Sequence, residues 1–421
     1  MSMDEEFFVS AIDVSMDEAR RAYAHMNHIH NYLLTPLLPW GTVQKKRVRL
    51  EVRVKPEYAR EMGTFKTRGA EWFSFITMDV WKNLGREKPS LVTASAGNHA
   101  QGVALAADRY GLEAIIFMPE NVPEVKLAKV KSMRGADVRI GGANFNESLK
   151  VAEEFARAGK NRVFVHPYED SKIIAGQASI GVEMLSQICT SNNYLQLGGH
   201  LSKSERPDVI IAPLGGGGLV SGLGAAFHEF NKGTGNSVKV IGVQTEAADS
   251  MYRSWKSGSL QGSTNPRAET IADGINVKQA SQTMLDTVTK YVDQVVVVTE
   301  RDIKAGIYAA SVHELLKVFR WQSSEVETPH IPGRRLPNGD QRYNHDDLSR
   351  LEGAAAAPLA AVLFSDKHGE LKWDEIAKGK DTLKVYCVLT GSNIDDVRFN
   401  KVLDEMSHDS YVQGRLADAL N

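Results

Sequence analysis

Short apolar runs alternate with stretches of helical period along most of this chain, and that alternation restricts the fold more than any other feature. Leu91–Ala94 is an apolar run of strand length, Ala100, Val103, Ala104 and Ala107 then recur at helical spacing, and Ala114–Met118 is a second run that Pro119 stops. The order repeats downstream, with a strand over Val209–Ala212, a turn at Gly215–Gly218, a helix over Leu219–Glu229 and a strand over Val238–Val243. Units of this kind close through right-handed crossovers and pair their strands mainly in parallel. The expected fold is therefore α/β, with two open, mainly parallel twisted sheets carrying helices on both faces. At 421 residues the chain is long enough to build two cores. One stretch breaks the pattern. Gln322–Arg350 is polar, contains prolines and the turn Pro337-Asn338-Gly339, and lacks sustained periodicity. It reads as a surface insertion.

Composition excludes several classes. A net charge of -2 leaves no electrostatic footprint for nucleic acid. No run approaches the roughly 18 apolar residues of a membrane span. Met1–Phe8 is acidic, with no basic segment leading into an apolar one, so neither a secretory signal nor a transit peptide is expected and the cytoplasm is the expected compartment. Cys189 and Cys387 are too few for a disulfide framework and read as small buried hydrophobes.

Four pieces carry chemistry. Lys66, in Gly63-Thr64-Phe65-Lys66-Thr67-Arg68-Gly69-Ala70, says little by itself, since a lysine between glycines is usually solvated. Ser95-Ala96-Gly97-Asn98-His99 follows a strand and opens a helix. Strand ends of this kind collect ligands, and the hydroxyl and helix-start N–H groups suit a carboxylate, although Ser95 or Asn98 could equally be a helix cap. Gly215, Gly216, Gly217 and Gly218 precede Leu219 between a strand and a helix. Four glycines raise the entropy of the unfolded chain, and they let several N–H groups approach one point, for which a phosphate is the natural occupant. No Gly-Lys-Ser/Thr follows and the spacing is not GxGxxG, so neither nucleotide fingerprint applies. Thr390-Gly391-Ser392-Asn393 ends an apolar strand, where a hydroxyl can meet a ligand ring or simply begin a turn.

Taken together and in this order, TFKTRGA, SAGNHAQGVA, GGGGLVSG and TGSN resemble the fold-type II pyridoxal-phosphate enzymes, the tryptophan synthase β-like fold, and within them the threonine/serine dehydratase group. Ile174–Gln177, Ala272–Ile275 and Leu351–Ala354 are similar to that group as well. The resemblance covers about residues 20–316 and 351–395. It implies a large cofactor-binding domain over 1–88 and 168–421, with 322–350 as its insertion, and a small domain over 89–167 that carries the asparagine loop. It also implies that Lys66 carries pyridoxal 5'-phosphate as a Schiff base and moves the Cα proton. Phe65 would pack on the cofactor ring, Asn98 would bond its hydroxyl, Gly215 to Leu219 would cradle the phosphate, Thr390 would face the pyridine nitrogen, and Glu352 would lie near the ring. Ser95, Ala96, Gly97 and His99 would form the substrate side.

A neutral Thr390 opposite the ring nitrogen makes a weaker electron sink than a carboxylate, which favours prompt loss of a β-hydroxyl. The expected reaction is dehydration and deamination of a small β-hydroxy L-amino acid, L-threonine or L-serine, to a 2-oxo acid and ammonia. The rival readings are a racemase, a hydroxyaspartate dehydratase or a specialised-pathway lyase on the same scaffold, and a cofactor-binding protein without catalysis. In similar racemases a serine stands just before Gly-Asn-His, where this chain has Ala96. Some relatives bind a divalent cation after the strand that follows the glycine loop. Gln244, Glu246 and Asp249 stand there, with Gln244 in place of the first carboxylate, and no metal is expected. The partners implied are a small amino-acid substrate and further copies of the chain, as dimer or tetramer. The stretch after Asn393 is too short for the regulatory domain of biosynthetic threonine dehydratases, so feedback control is not expected.

Overall fold

The computed structural model describes residues 11–29, 34–189, 206–313, 350–364 and 371–420. The insertion expected over 322–350 lies outside them, save for Arg350. The strands run in chain order as β1 (Leu38–Lys45), β2 (Val48–Pro56), β3 (Ser90–Ala94), β4 (Glu113–Met118), β5 (Ala136–Ile140), β6 (Arg162–Phe164), β7 (Val209–Pro213), β8 (Lys239–Thr245), β9 (Gln294–Val298) and β10 (Thr382–Leu389). They form a six-stranded sheet of order β1-β2-β10-β7-β8-β9 and a four-stranded sheet of order β5-β4-β3-β6. Every pairing is parallel except the β1–β2 hairpin, in which Leu38 faces Val54 and Lys45 faces Val48. The mainly parallel α/β fold read from the alternation is thus the fold observed, and the antiparallel hairpin at its edge is what that reading did not contain.

The large sheet is buried on both faces because its strands alternate between two apolar cores. Val209, Ile211, Ile241, Val243, Val385 and Cys387 point into one. Ile210, Ala212, Val240, Tyr386 and Val388 point into the other. The helix Gly353–Leu363 (GAAAAPLAAVL) is buried along its whole length within the first core, as an all-apolar helix must be. In the small sheet, Leu91, Ala114 and Ile116 meet Ala100, Val103, Ala104 and Ala107, the residues whose spacing predicts the helix Asn98–Tyr110.

Three helices join the sheets by close backbone approach. A Cβ on Gly102 would lie 3.1 Å from the carbonyl oxygen of Lys66, and one on Gly176 would lie 2.6 Å from Gly69 Cα. Glycine at these crossings lets the helix Lys66–Asn83 press between Asn98–Tyr110 and Ser171–Cys189. Residues following β3, β7 and β10 are thereby brought to one place.

Candidate active site

Lys66 is the first residue of its helix and is fixed from below by the end of β10. Phe65 N–H donates to Thr390 O (3.0 Å), Ser392 N–H to Gly63 O (3.0 Å), and Asn393 Nδ2 to Met62 O (2.9 Å). Met62 and Gly63 take left-handed backbone angles, φ 61° and 63°, which turn the chain sharply enough to aim the lysine back across the strand ends. Lys66 Nζ donates to Pro167 O (2.8 Å). Desolvation pulls its ammonium down to about 8, against the opposing charge of Glu352.

The asparagine loop approaches from the small sheet. Gly97 holds the N-cap position of the Asn98–Tyr110 helix with no side-chain capping bond. Asn98 therefore does not act as a cap. Its Nδ2 donates to both oxygens of Glu352 (2.8 and 3.0 Å), and its Oδ1 accepts from Asn393 Nδ2 (2.6 Å). Glu352 is buried, and desolvation followed by the charge of Asp273 raises its carboxyl to about 7. Ser95 Oγ accepts from Gly97 N–H (3.1 Å), folding the loop over Ala96, which is partly buried against the small-sheet core. His99 is buried with Nε2 3.2 Å from Val165 O, and desolvation holds its imidazole near 3, so the ring is neutral.

The glycine loop lies behind β7. Gly217 has φ 100° and holds the N-cap of the helix Gly218–Thr234 without a side-chain cap. Among the described residues, the first N–H of this turn to reach a backbone carbonyl is that of Ser221, on Gly217 O (3.0 Å). The N–H groups before it are those a helix start leaves without intrahelical partners, which is the physical basis of an anion site. Space here is tight: a Cβ on Gly216 would meet the Tyr168 ring at 2.3 Å, and one on Gly215 would lie 3.2 Å from Gly274 O. Leu219 is buried in the second core, with Phe65 packed against the same core, and Thr390 is buried.

The sequence-predicted pieces thus meet at the carboxyl ends of β3, β7 and β10, with Lys66 between them. His166, Pro167, Tyr168 and Asp273 also belong to the assembly but escaped the sequence reading. Pro167 supplies only a carbonyl, which no side-chain pattern reveals. Asp273 lies inside the Ala272–Ile275 stretch that resembles the family, and that stretch was the available signal.

A family model described as pyridoxal-phosphate dependent enzyme matches residues 30–316. The chain belongs to this family. Its curated relatives include the L-threonine ammonia-lyase of Geobacter sulfurreducens, 32% identical over 83% of this chain and 69% of that protein. The catabolic L-threonine dehydratase TdcB of Staphylococcus aureus is 32% identical over 88% of this chain and 87% of its own length. Among solved structures, maize serine racemase superposes with a TM-score of 0.68 at 23% identity, over 94% of this chain and 99% of that one, and so shares the fold. The cofactor of the pyridoxal-phosphate family fits what the site offers. A phosphate needs the N–H groups of a glycine-lined helix start, an aldehyde needs an amine that sheds its proton near neutrality, and an aromatic ring needs apolar walls with a few donors and acceptors at its edge. Gly215–Leu219, Lys66, and Phe65 with Asn98 and Thr390 meet these needs in turn.

Proposed function

We propose that this chain is an ammonia-lyase that removes the β-hydroxyl of a small β-hydroxy L-amino acid, L-threonine or L-serine, and releases a 2-oxo acid and ammonia. The observation that carries the reading is a lysine amine with an ammonium value of about 8, held 2.8 Å from Pro167 O between the glycine loop and the asparagine loop. When bound, pyridoxal phosphate draws electron density from the Cα of the amino acid it holds and acidifies its proton. Lys66 then serves as the base for that proton, since a desolvated amine is partly unprotonated near neutral pH. Phe65 would pack against the cofactor and Gly215–Leu219 would hold its phosphate. Asn98, Thr390 and Glu352 would line the edge of its ring, with Asn98 toward the hydroxyl and Thr390 toward the nitrogen. Ser95, Ala96, Gly97 and the neutral His99 bound the substrate side, with Ser95 and the loop N–H groups on the carboxylate. The names of the curated relatives support the substrate. A domain division at 89–167 against 1–88 and 168–421 accords with the two sheets. Among the described residues no helix is long and apolar enough to cross a membrane, and the sequence supports a cytoplasmic homo-oligomer, dimer or tetramer. A panel of L- and D-threonine, L- and D-serine and 3-hydroxyaspartate, scored for ammonia and 2-oxo acid, tests the assignment. Turnover confined to 3-hydroxyaspartate would sink it.

A further inference from the structure

The end of β8 and the turn after it hold Gln244, Glu246 and Asp249, where some proteins that this chain resembles bind a divalent cation. The donors present do not fit one. A hard cation gathers about six or more oxygens, several of them carboxylate. Gln244 is fully buried, and its Oε1 already accepts from Tyr252 N–H (2.8 Å). Its Nε2 is a buried donor with no partner among the described residues, and an N–H group repels a cation. Both Asp249 oxygens are engaged by Thr264, Oδ1 with its N–H (2.7 Å) and Oδ2 with its hydroxyl (2.5 Å). Glu246 Oε1 accepts from Glu300 N–H (3.1 Å) on the exposed side.

One backbone oxygen of the same turn, that of Ala247, is taken by a side chain. Lys278 Nζ donates to Ala247 O (2.5 Å) and to Ala268 O (2.7 Å). Partial desolvation draws this ammonium below the ordinary lysine value, and the negative charge of Asp249 opposes that shift. We infer that the Lys278 ammonium is the resident cation of this turn and takes the structural place of a metal, so that the cofactor site needs no divalent ion.

The consequence for the site is positional. The ammonium ties together the stretches around 247, 268 and 278. Ser263 reinforces the tie by donating its N–H and its hydroxyl to Lys278 O (both 3.1 Å), and Ser250 Oγ donates to Val277 O (2.8 Å). The residues just before Lys278 form the wall behind the glycine loop, with Gly274 O and Ile275 Cα each 3.2 Å from a Cβ built on Gly215. Lys278 is therefore a positioning residue for the cofactor cradle. The inference rests on the family cofactor and not on the proposed substrate.

The test uses the holoenzyme. Wild type dialysed against EDTA should keep its bound cofactor, its Tm and its turnover, and magnesium chloride added back should change none of them. Lys278→Met should raise the Kd for the cofactor about tenfold, the worth of one charge-assisted hydrogen bond. It should also lower Tm, and methylammonium should partly restore both where magnesium does not. Wild type that loses cofactor in EDTA and recovers it with magnesium would overturn the inference, whether or not the variant folds. So would a Lys278→Met protein with wild-type Tm and cofactor affinity. Cofactor absorbance and Tm report the result even if the amino-acid substrate is another one.

Discussion

At the scale of single residues, the site is a set of protonation states fixed by burial. Lys66 is the clearest: its ammonium value of about 8 predicts that the apoprotein captures the aldehyde cofactor faster as pH rises, levelling near that value, where a solvated lysine would continue to climb. Lys66→Ala should abolish both turnover and the lysine-linked absorbance, and retained wild-type activity would refute its role. Glu352 behaves in the opposite sense. Its folded carboxyl is raised to about 7, so above the ordinary glutamate value the native state keeps a proton that the unfolded chain has lost. The stability this contributes is complete below the unfolded value and is lost as pH climbs through about 7. Relative to wild type, Glu352→Gln should thus gain on the order of 2 kcal/mol between about pH 5 and pH 8, read from urea unfolding. An unchanged difference would show that Glu352 titrates normally. Under the proposed function, Ala96 is expected to decide the stereochemical outcome. Inverting Cα requires a proton donor on the face opposite Lys66, and a methyl group can be none. Deamination should therefore leave the unreacted L-amino acid unracemised on chiral chromatography, with Ala96→Ser adding a small D fraction. Comparable rates of D-isomer and 2-oxo acid in wild type would show another acid at that face.

At the scale of elements, the glycine loop shows how far sequence reaches. Four glycines before a helix point to an anion cradle without any coordinates. What they cannot reveal is the wall: Tyr168 arrives from after β6 and leaves no room for a side chain on Gly216, with ring atoms 2.3–2.4 Å from a Cβ there. Gly216→Asp should accordingly displace the ring and add a charge that repels phosphate, and the variant should lose cofactor on dialysis. Full occupancy after dialysis would remove the phosphate assignment. The asparagine loop was legible as a helix opening but ambiguous as a cap. The ambiguity ends in three dimensions, because Gly97 takes the cap position and frees the Asn98 amide for Glu352 and Asn393. That partnership spans residues 98, 352 and 393, and no local pattern could join them. The hairpin β1–β2 went unread for a related reason, since its strands alternate polar with apolar residues at a sheet edge while the buried strands are continuous apolar runs.

At the scale of the whole molecule, two mainly parallel sheets were legible because α/β crossovers write themselves as alternating periods, whereas the order of strands was not, because pairing depends on contacts distant in sequence. The sequence reading of two cores also fell short, since each face of the large sheet has its own core and the small sheet adds another. The stretch over 322–350 is expected to be peripheral: its prolines and charges make burial costly. Replacing it with a short Gly/Ser linker should leave a folded protein that retains its cofactor, and failure to fold would place it in the core. Sheet order has one further consequence, for synthesis. The four strands of the small sheet lie between residues 90 and 164 and can pair as soon as that stretch leaves the ribosome. In the large sheet β2 and β7 are never neighbours; β10 separates them and comes after every other strand. A nascent chain therefore carries two sheet edges waiting for Thr382–Leu389, exposed to the wrong partners that unpaired edges invite. The same late strand delivers Thr390 and Asn393 to the turn that holds Lys66. Vectorial folding should thus close the small sheet first and leave the lysine unable to hold its cofactor until the last strand threads between its neighbours.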